Sequence, residues 1–160
     1  MSANAATAFQ DRYPDDVAHC YGCGRLNPRG YQLKSYWDGE HTVATFVPQP
    51  HHTAIPGYVY GGLIASLIDC HGTGSAAAAA KRTAGMHGDV DTLPRFVTAS
   101  LSVDFLKPTP LGPLLELRGS IVERTDRKVI VDVVVTADGI VTARGRVVAA
   151  RVPEGMVAAD

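Results

Sequence analysis

The stretch GYVYGGLIASLIDCHG, Gly57–Gly72, places one carboxylate, Asp69, inside an otherwise apolar run that opens on glycines. Leu63, Ile64, Leu67 and Ile68 recur at the spacing of one helical face, and AAAAA follows at Ala76–Ala80. Alanine is the strongest helix former and lets a covering sheet approach closely. The stretch therefore predicts a helix from about residue 60 to 82, apolar enough to need wrapping on most sides. AGMHGDVDTLP, residues 84–94, is expected to end it.

On either side of this helix the period changes. YQLKSYWDGEHTVATFVPQP, residues 31–50, reads as two short strands around the turn dipeptide Asp38-Gly39. In VTASLSVDFLK, residues 97–107, Val97, Ala99, Leu101, Val103 and Phe105 alternate with polar residues, so they are expected on one face of a strand. Further strands are expected at about 114–124, 128–137 and 140–151, the last two joined at Asp138-Gly139. Two strands, one long helix and four strands with short connections make an α+β domain, one helix against one antiparallel sheet. Residues 1–18, small and acidic, read as a loosely ordered lead-in. Residues 19–152 then form one domain and 153–160 a tail.

Bulk properties exclude several classes. The 160 residues are 46% hydrophobic and 19% charged with a net charge of −1, which describes one globular domain. No stripe of Lys and Arg offers a nucleic-acid platform. No apolar run approaches the roughly 18 residues needed to span a bilayer. The N-terminal residues show no basic region followed by an apolar block, and three cysteines do not suggest a disulfide framework, so a reduced cytoplasmic setting is expected.

An ionised carboxylate among apolar neighbours is costly, which makes Asp69 a functional candidate. Gly62, Ala65, Ser66, Asp69 and Thr73 fall along one stripe of the helix. Gly61 and Gly62, at its start, expose N–H groups and the positive end of the helix dipole, which suit a carbonyl oxygen becoming an oxyanion. These glycines lie seven or eight residues from Asp69, roughly 10–12 Å along a helix. A base must come within about 3 Å of the reacting atom, directly or through one water. One helix cannot put both groups on one carbonyl. Two copies about a two-fold axis can, one supplying the N–H groups and the other the acid.

Four segments, in order, resemble the hotdog-fold acyl-CoA thioesterases, specifically the PaaI-like, 4-hydroxybenzoyl-CoA thioesterase superfamily. YGGLIASLID is similar to that family's HGG…D segment. CYGCGRLNPRGYQL (Cys20–Leu33) is similar to the CxxCGxxNPxGLxL opening of one bacterial subgroup. HTAIPGYVYGG (His52–Gly62) is similar to the HxGxPGxxHGG loop, and VDFLKPTPLG (Val103–Gly112) to a strand ending in an Arg/Lys-Pro turn. The resemblance implies a hotdog fold, a long helix wrapped by a curved antiparallel sheet, in homodimers or dimers of dimers with sites at the interface. It implies an acyl-CoA substrate, Asp69 as general base or nucleophile, and Gly61 with Gly62 as the oxyanion-binding turn. Ser66 and Thr73 then become orienters of carboxylate or water, and His52 and Tyr60 line the substrate pocket. It implies no metal and no redox cofactor. The chain departs from the pattern at Tyr60, which replaces a His and cannot cycle protons near neutral pH as imidazole does, and at Ala54, which replaces a glycine.

Two rivals stand beside hydrolysis: a non-catalytic acyl-CoA binder, suggested by Tyr60, and a hotdog hydratase or dehydratase, for which His52 is the one obvious partner to Asp69. Cys20 and Cys23 form a CxxC, but zinc would need further ligands. His19, Cys70 or His71 can be imagined, yet no second pair has metal spacing, so a turn with buried thiols is expected. His71 points to another helix face than Asp69 and reads as a packing residue. Arg124, Arg127 and Lys128 suit either coenzyme A phosphates or a solvated hairpin tip.

Overall fold

The computed structural model describes residues 6–83, 92–153 and 155–157. Strands β1 (Ser35–Asp38) and β2 (His41–Phe46) form the first hairpin. Helix α1 (Gly61–Thr83) follows, then β3 (Phe96–Phe105), β4 (Leu115–Arg124), β5 (Lys128–Ala137) and β6 (Ile140–Arg151). All six strands form one antiparallel sheet in the order β1-β2-β4-β5-β6-β3. This is the expected hotdog arrangement. Most of the segment expected to end the helix lies outside the described residues; α1 is described through Thr83.

Two glycines set how close helix and sheet come. A Cβ on Gly72 would stand 2.5 Å from a methyl of Val147 on β6, and one on Gly145 would stand 2.5 Å from a methyl of Ile68 on α1. From Cys70 to Ala79 every helical residue is buried, so this part of the helix is enclosed on all sides as its composition requires. At the β5–β6 turn, Asp138 and Gly139 both have positive φ, +50° and +75°, the geometry an Asp-Gly hairpin favours.

Inside the core runs a line of polar groups. Gln10 donates to Ser35 Oγ at 3.0 Å and accepts from Ser35 N–H at 2.8 Å. Ser35 Oγ meets His71 Nδ1 at 2.9 Å, His71 Nε2 meets Thr42 Oγ1 at 3.1 Å, and Thr42 Oγ1 meets Ser75 Oγ at 2.6 Å. All five residues are buried. Burial pushes the His71 imidazole down to about 4, so it is neutral at pH 7.

Two expectations need correction. The lead-in is not loose where it is described. Phe9, Tyr13 and Ala18 are core residues, the Phe9 ring meets Trp37 edge-on at 5.6 Å, and Arg12 carbonyl accepts the Leu93 N–H. Burying a Phe ring offsets the entropy of ordering a short segment rich in small residues. In β3, a bulge between Thr98 and Ser100 shifts the register against β6. Phe96 and Thr98 therefore face the helix before it, and Val103 and Phe105 after it, so Val97 and Ala99 do not share the face of Val103.

Candidate active site

Helix α1 begins at Gly61, and its hydrogen-bond ladder begins with the N–H groups of Leu63 and Ile64 on the Tyr60 carbonyl. The N–H groups of Gly61 and Gly62 lie ahead of that ladder, at the positive end of the dipole. The loop before them is held in place by its backbone: Tyr60 N–H donates to His52 carbonyl, and Val59 N–H to Thr109 carbonyl. A Cβ on Gly61 would stand 3.3 Å from the Phe105 ring, and one on Gly62 would collide with the Tyr60 ring. Glycine at both positions keeps the backbone open beside two aromatic side chains.

Next to this helix start is a cleft of about 500 Å³ whose walls include Ile55, Tyr58, Gly61, Ile64, Phe105 and Leu106. Ile55, Tyr58, Phe105 and Leu106 are all substantially exposed in the single chain. Apolar walls beside N–H donors suit an acyl chain with its carbonyl at the helix tip. Ala54, where the resembled loop has glycine, also lines this cleft.

Asp69 lies about two helical turns further on, half-buried. Its Oδ1 accepts a hydrogen bond from the Thr98 hydroxyl on β3. Burial raises its pKa; the Thr98 bond opposes this, Cys20 adds to it and Arg95 opposes it. The bulge that reverses the phase of β3 is what turns Thr98 toward α1. Thr98 was missed from sequence because strict alternation assigns it to the outer face.

The expected orienters are placed differently. Ser66 donates to Gly62 carbonyl at 2.8 Å, and Thr73 donates to the carbonyls of Asp69 and Cys70 at 3.1 and 3.3 Å. Both hydroxyl protons are used along the helix backbone, and the side chain that holds the Asp69 carboxylate is Thr98. His52 stands apart from the apolar cleft, among Tyr21, Tyr31, Phe46 and His51. Its Nδ1 accepts the Gln49 N–H at 2.9 Å, which fixes the tautomer, and burial followed by the neighbouring His51 lowers its pKa. Tyr60 is 57% exposed and lies over Gly62. At the hairpin tip, Lys128 pairs with Glu123 at 3.1 Å and Arg124 donates to Ala79 carbonyl, so both are engaged within their own chain.

The site also sits at a particular place in the sheet. Strand β3 is an edge strand ten residues long, and most of it is exposed. A long uncovered edge is a template for pairing with another strand. No described helix is long and apolar enough to cross a membrane.

The family model described as "Thioesterase superfamily" matches residues 56–144, which span the glycine pair, Asp69 and Thr98. A thioesterase superfamily protein from Shewanella loihica PV-4 is 55% identical over 80% of this chain and 97% of its own, with a TM-score of 0.65. Two more distant structures share the fold. The E. coli PaaI protein from the phenylacetic acid degradation operon is 15% identical over 77% of this chain and 81% of its own, TM-score 0.62. A Streptococcus mutans protein bound to acetyl-CoA is 21% identical over 75% of this chain and 88% of its own, TM-score 0.55. No curated protein matches the chain. The agreement of helix, sheet order and matched residues gives one conclusion: this chain belongs to the thioesterase superfamily and has its hotdog fold.

Proposed function

We propose that the chain hydrolyses an acyl-CoA thioester as a homodimer, each site combining Asp69 of one copy with the Gly61 and Gly62 N–H groups of the other. The observation that carries this reading is the position of Asp69: half-buried, held by Thr98, directly beneath an uncovered edge strand. Pairing of β3 with β3 of a second copy would bring a foreign helix start toward that carboxylate, which a single helix cannot do for itself. The acetyl-CoA held by the Streptococcus mutans protein supports the substrate class.

In this scheme the acyl chain lies in the cleft beside Ile64 and Phe105, and the thioester oxygen accepts from the Gly61 and Gly62 N–H groups. Asp69 takes a proton from water, and the resulting hydroxide adds to the carbonyl carbon. The tetrahedral oxyanion then collapses, the carbon–sulfur bond breaks, and the leaving thiolate takes up the proton, giving carboxylic acid and free thiol. The alternative first step is attack by the carboxylate itself, giving an anhydride that water opens. A single turnover in heavy-oxygen water tests for the anhydride: label in Asp69 requires it, opened by water at the Asp69 carbonyl, whereas the general-base route labels the acid product alone.

The Asp69→Asn variant tests the assignment through release of coenzyme A thiol. Loss of turnover with the dimer retained supports it; near-normal turnover rejects it. The placement of Tyr60 over Gly62 favours one second reading, an acyl-CoA binder without turnover. That reading predicts acyl-CoA binding by the wild type with no thiol released from any acyl-CoA in a short-to-long and aryl panel.

A further inference from the structure

The sequence holds three cysteines, and the fold gathers all of them. Cys20 and Cys23 lie in the loop before β1, and Cys70 comes from the middle of α1, fifty residues away from Cys20. Their three Sγ atoms lie within 4.8 Å of one another, and the Cys20–Cys70 separation is 3.7 Å. All three are free thiols, two buried and one half-buried.

A tetrahedral ion bound to sulfur at about 2.3 Å holds neighbouring sulfurs about 3.8 Å apart. One edge of the triangle already has that length, and the others exceed it by no more than about 1 Å. A disulfide needs sulfurs at about 2.05 Å and would leave the third thiol unused; an ion uses all three.

The loop is shaped around these sulfurs. A Cβ on Gly22 would strike Cys70 Sγ, and one on Gly24 would strike the backbone at Cys20. Gly24 N–H closes the turn on Cys20 carbonyl at 2.7 Å.

Charge supplies an independent argument. Arg95 acts electrostatically on all three sulfurs and packs over the Tyr13 ring at 4.7 Å. Its Nη1 and the Tyr13 hydroxyl are both buried with no hydrogen-bond partner. Three thiolates around a divalent ion carry a net charge of −1, which one guanidinium balances. Three neutral thiols or a disulfide add no charge to that of the Asp69 carboxylate, on which Arg95 also acts. A donor set of thiolates alone selects soft ions such as zinc or copper(I) over magnesium or calcium.

We propose that Cys20, Cys23 and Cys70 form a three-thiolate site for a thiophilic metal ion, with Arg95 as its counter-charge, fastening the loop before β1 to the middle of α1. The proposal stands whether or not the chain turns over a thioester.

The test uses the reduced full-length chain, stripped with a chelator and titrated with zinc alone, with metal content measured after gel filtration. The expected result is one zinc per chain, loss of reactivity of all three thiols toward a thiol-reactive dye, and a rise in melting temperature. Cobalt(II) in place of zinc should give a sulfur-to-metal charge-transfer band. Cys20→Ser, at the half-buried position, and Cys23→Ser should each abolish stoichiometric uptake. Because dye protection and the cobalt band are read on the wild type, the outcome does not depend on a variant folding. Substoichiometric zinc, thiols equally reactive with and without it, or uptake without the cobalt–sulfur band would overturn the proposal. So would a peroxide-formed disulfide in a chain whose reduced form takes up no zinc.

Discussion

At the scale of single residues, Asp69 and Thr98 act as a pair. In the proposed mechanism the carboxylate must be ionised to accept a proton, and burial works against that while the Thr98 hydroxyl works for it. Asp69→Asn should lower kcat by about 10²–10⁴-fold, the usual range for losing a positioned base, with the dimer unchanged by sedimentation. Thr98→Val should lower kcat about tenfold while leaving Asp69 in place, and Thr98→Ser should restore it. Equal activity in Val and Ser variants would remove Thr98 from the site. Asp69 was legible as a candidate in the sequence because a lone acid in an apolar helix is anomalous. Thr98 was not, because a single inserted residue at the bulge reverses the expected face. Cys70 could be imagined beside the CxxC, but spacing alone shows only two sulfurs, and the third is brought to them by tertiary packing.

Elements show where local pattern suffices and where packing decides. The strands and α1 follow from periodicity and from Asp-Gly turns, so their order was readable directly. The lead-in was not, because its composition of small and acidic residues conceals two aromatic anchors, Phe9 and Tyr13. Phe9→Ala should cost about 3–5 kcal/mol in urea unfolding, the range for deleting a buried ring; a cost under about 1 kcal/mol would restore the view of a loose segment. Gly72→Ala favours helix locally by about 1 kcal/mol. Its Cβ nevertheless meets Val147 at 2.5 Å, so net destabilisation of about 1–3 kcal/mol is expected. His71 links α1 to β1 and β2, and its ring bonds to the hydroxyls of Ser35 and Thr42. The folded state keeps this imidazole neutral down to about pH 4, whereas the unfolded chain binds a proton below about 6.5. Its contribution is therefore fully present above about 6.5 and is lost as pH falls toward 4, by up to about 1.4 kcal/mol per pH unit. Urea unfolding at pH 7.5 and 5.5 should show this loss, and His71→Gln should flatten it.

At the scale of the whole molecule, the proposed site is completed through an edge of the sheet. One edge is β1, only four residues long; the other is β3, ten residues long and beside Asp69. A charge on that edge, as in Leu101→Glu, should yield monomers in sedimentation and abolish turnover together, since separated copies cannot share a site. The central claim, that each site takes its acid and its N–H donors from different copies, is tested most directly by mixing two inactive variants. One is Asp69→Asn. The other is Gly61→Pro, which removes an N–H at the first helical position, where proline is tolerated. After subunit exchange, a mixed dimer holds one site with both defects and one with none. Thiol release should therefore return to about a quarter of the wild-type rate in an equal mixture, from half the dimers with one intact site each. A mixture in which exchange is complete and turnover stays absent would contradict the shared site.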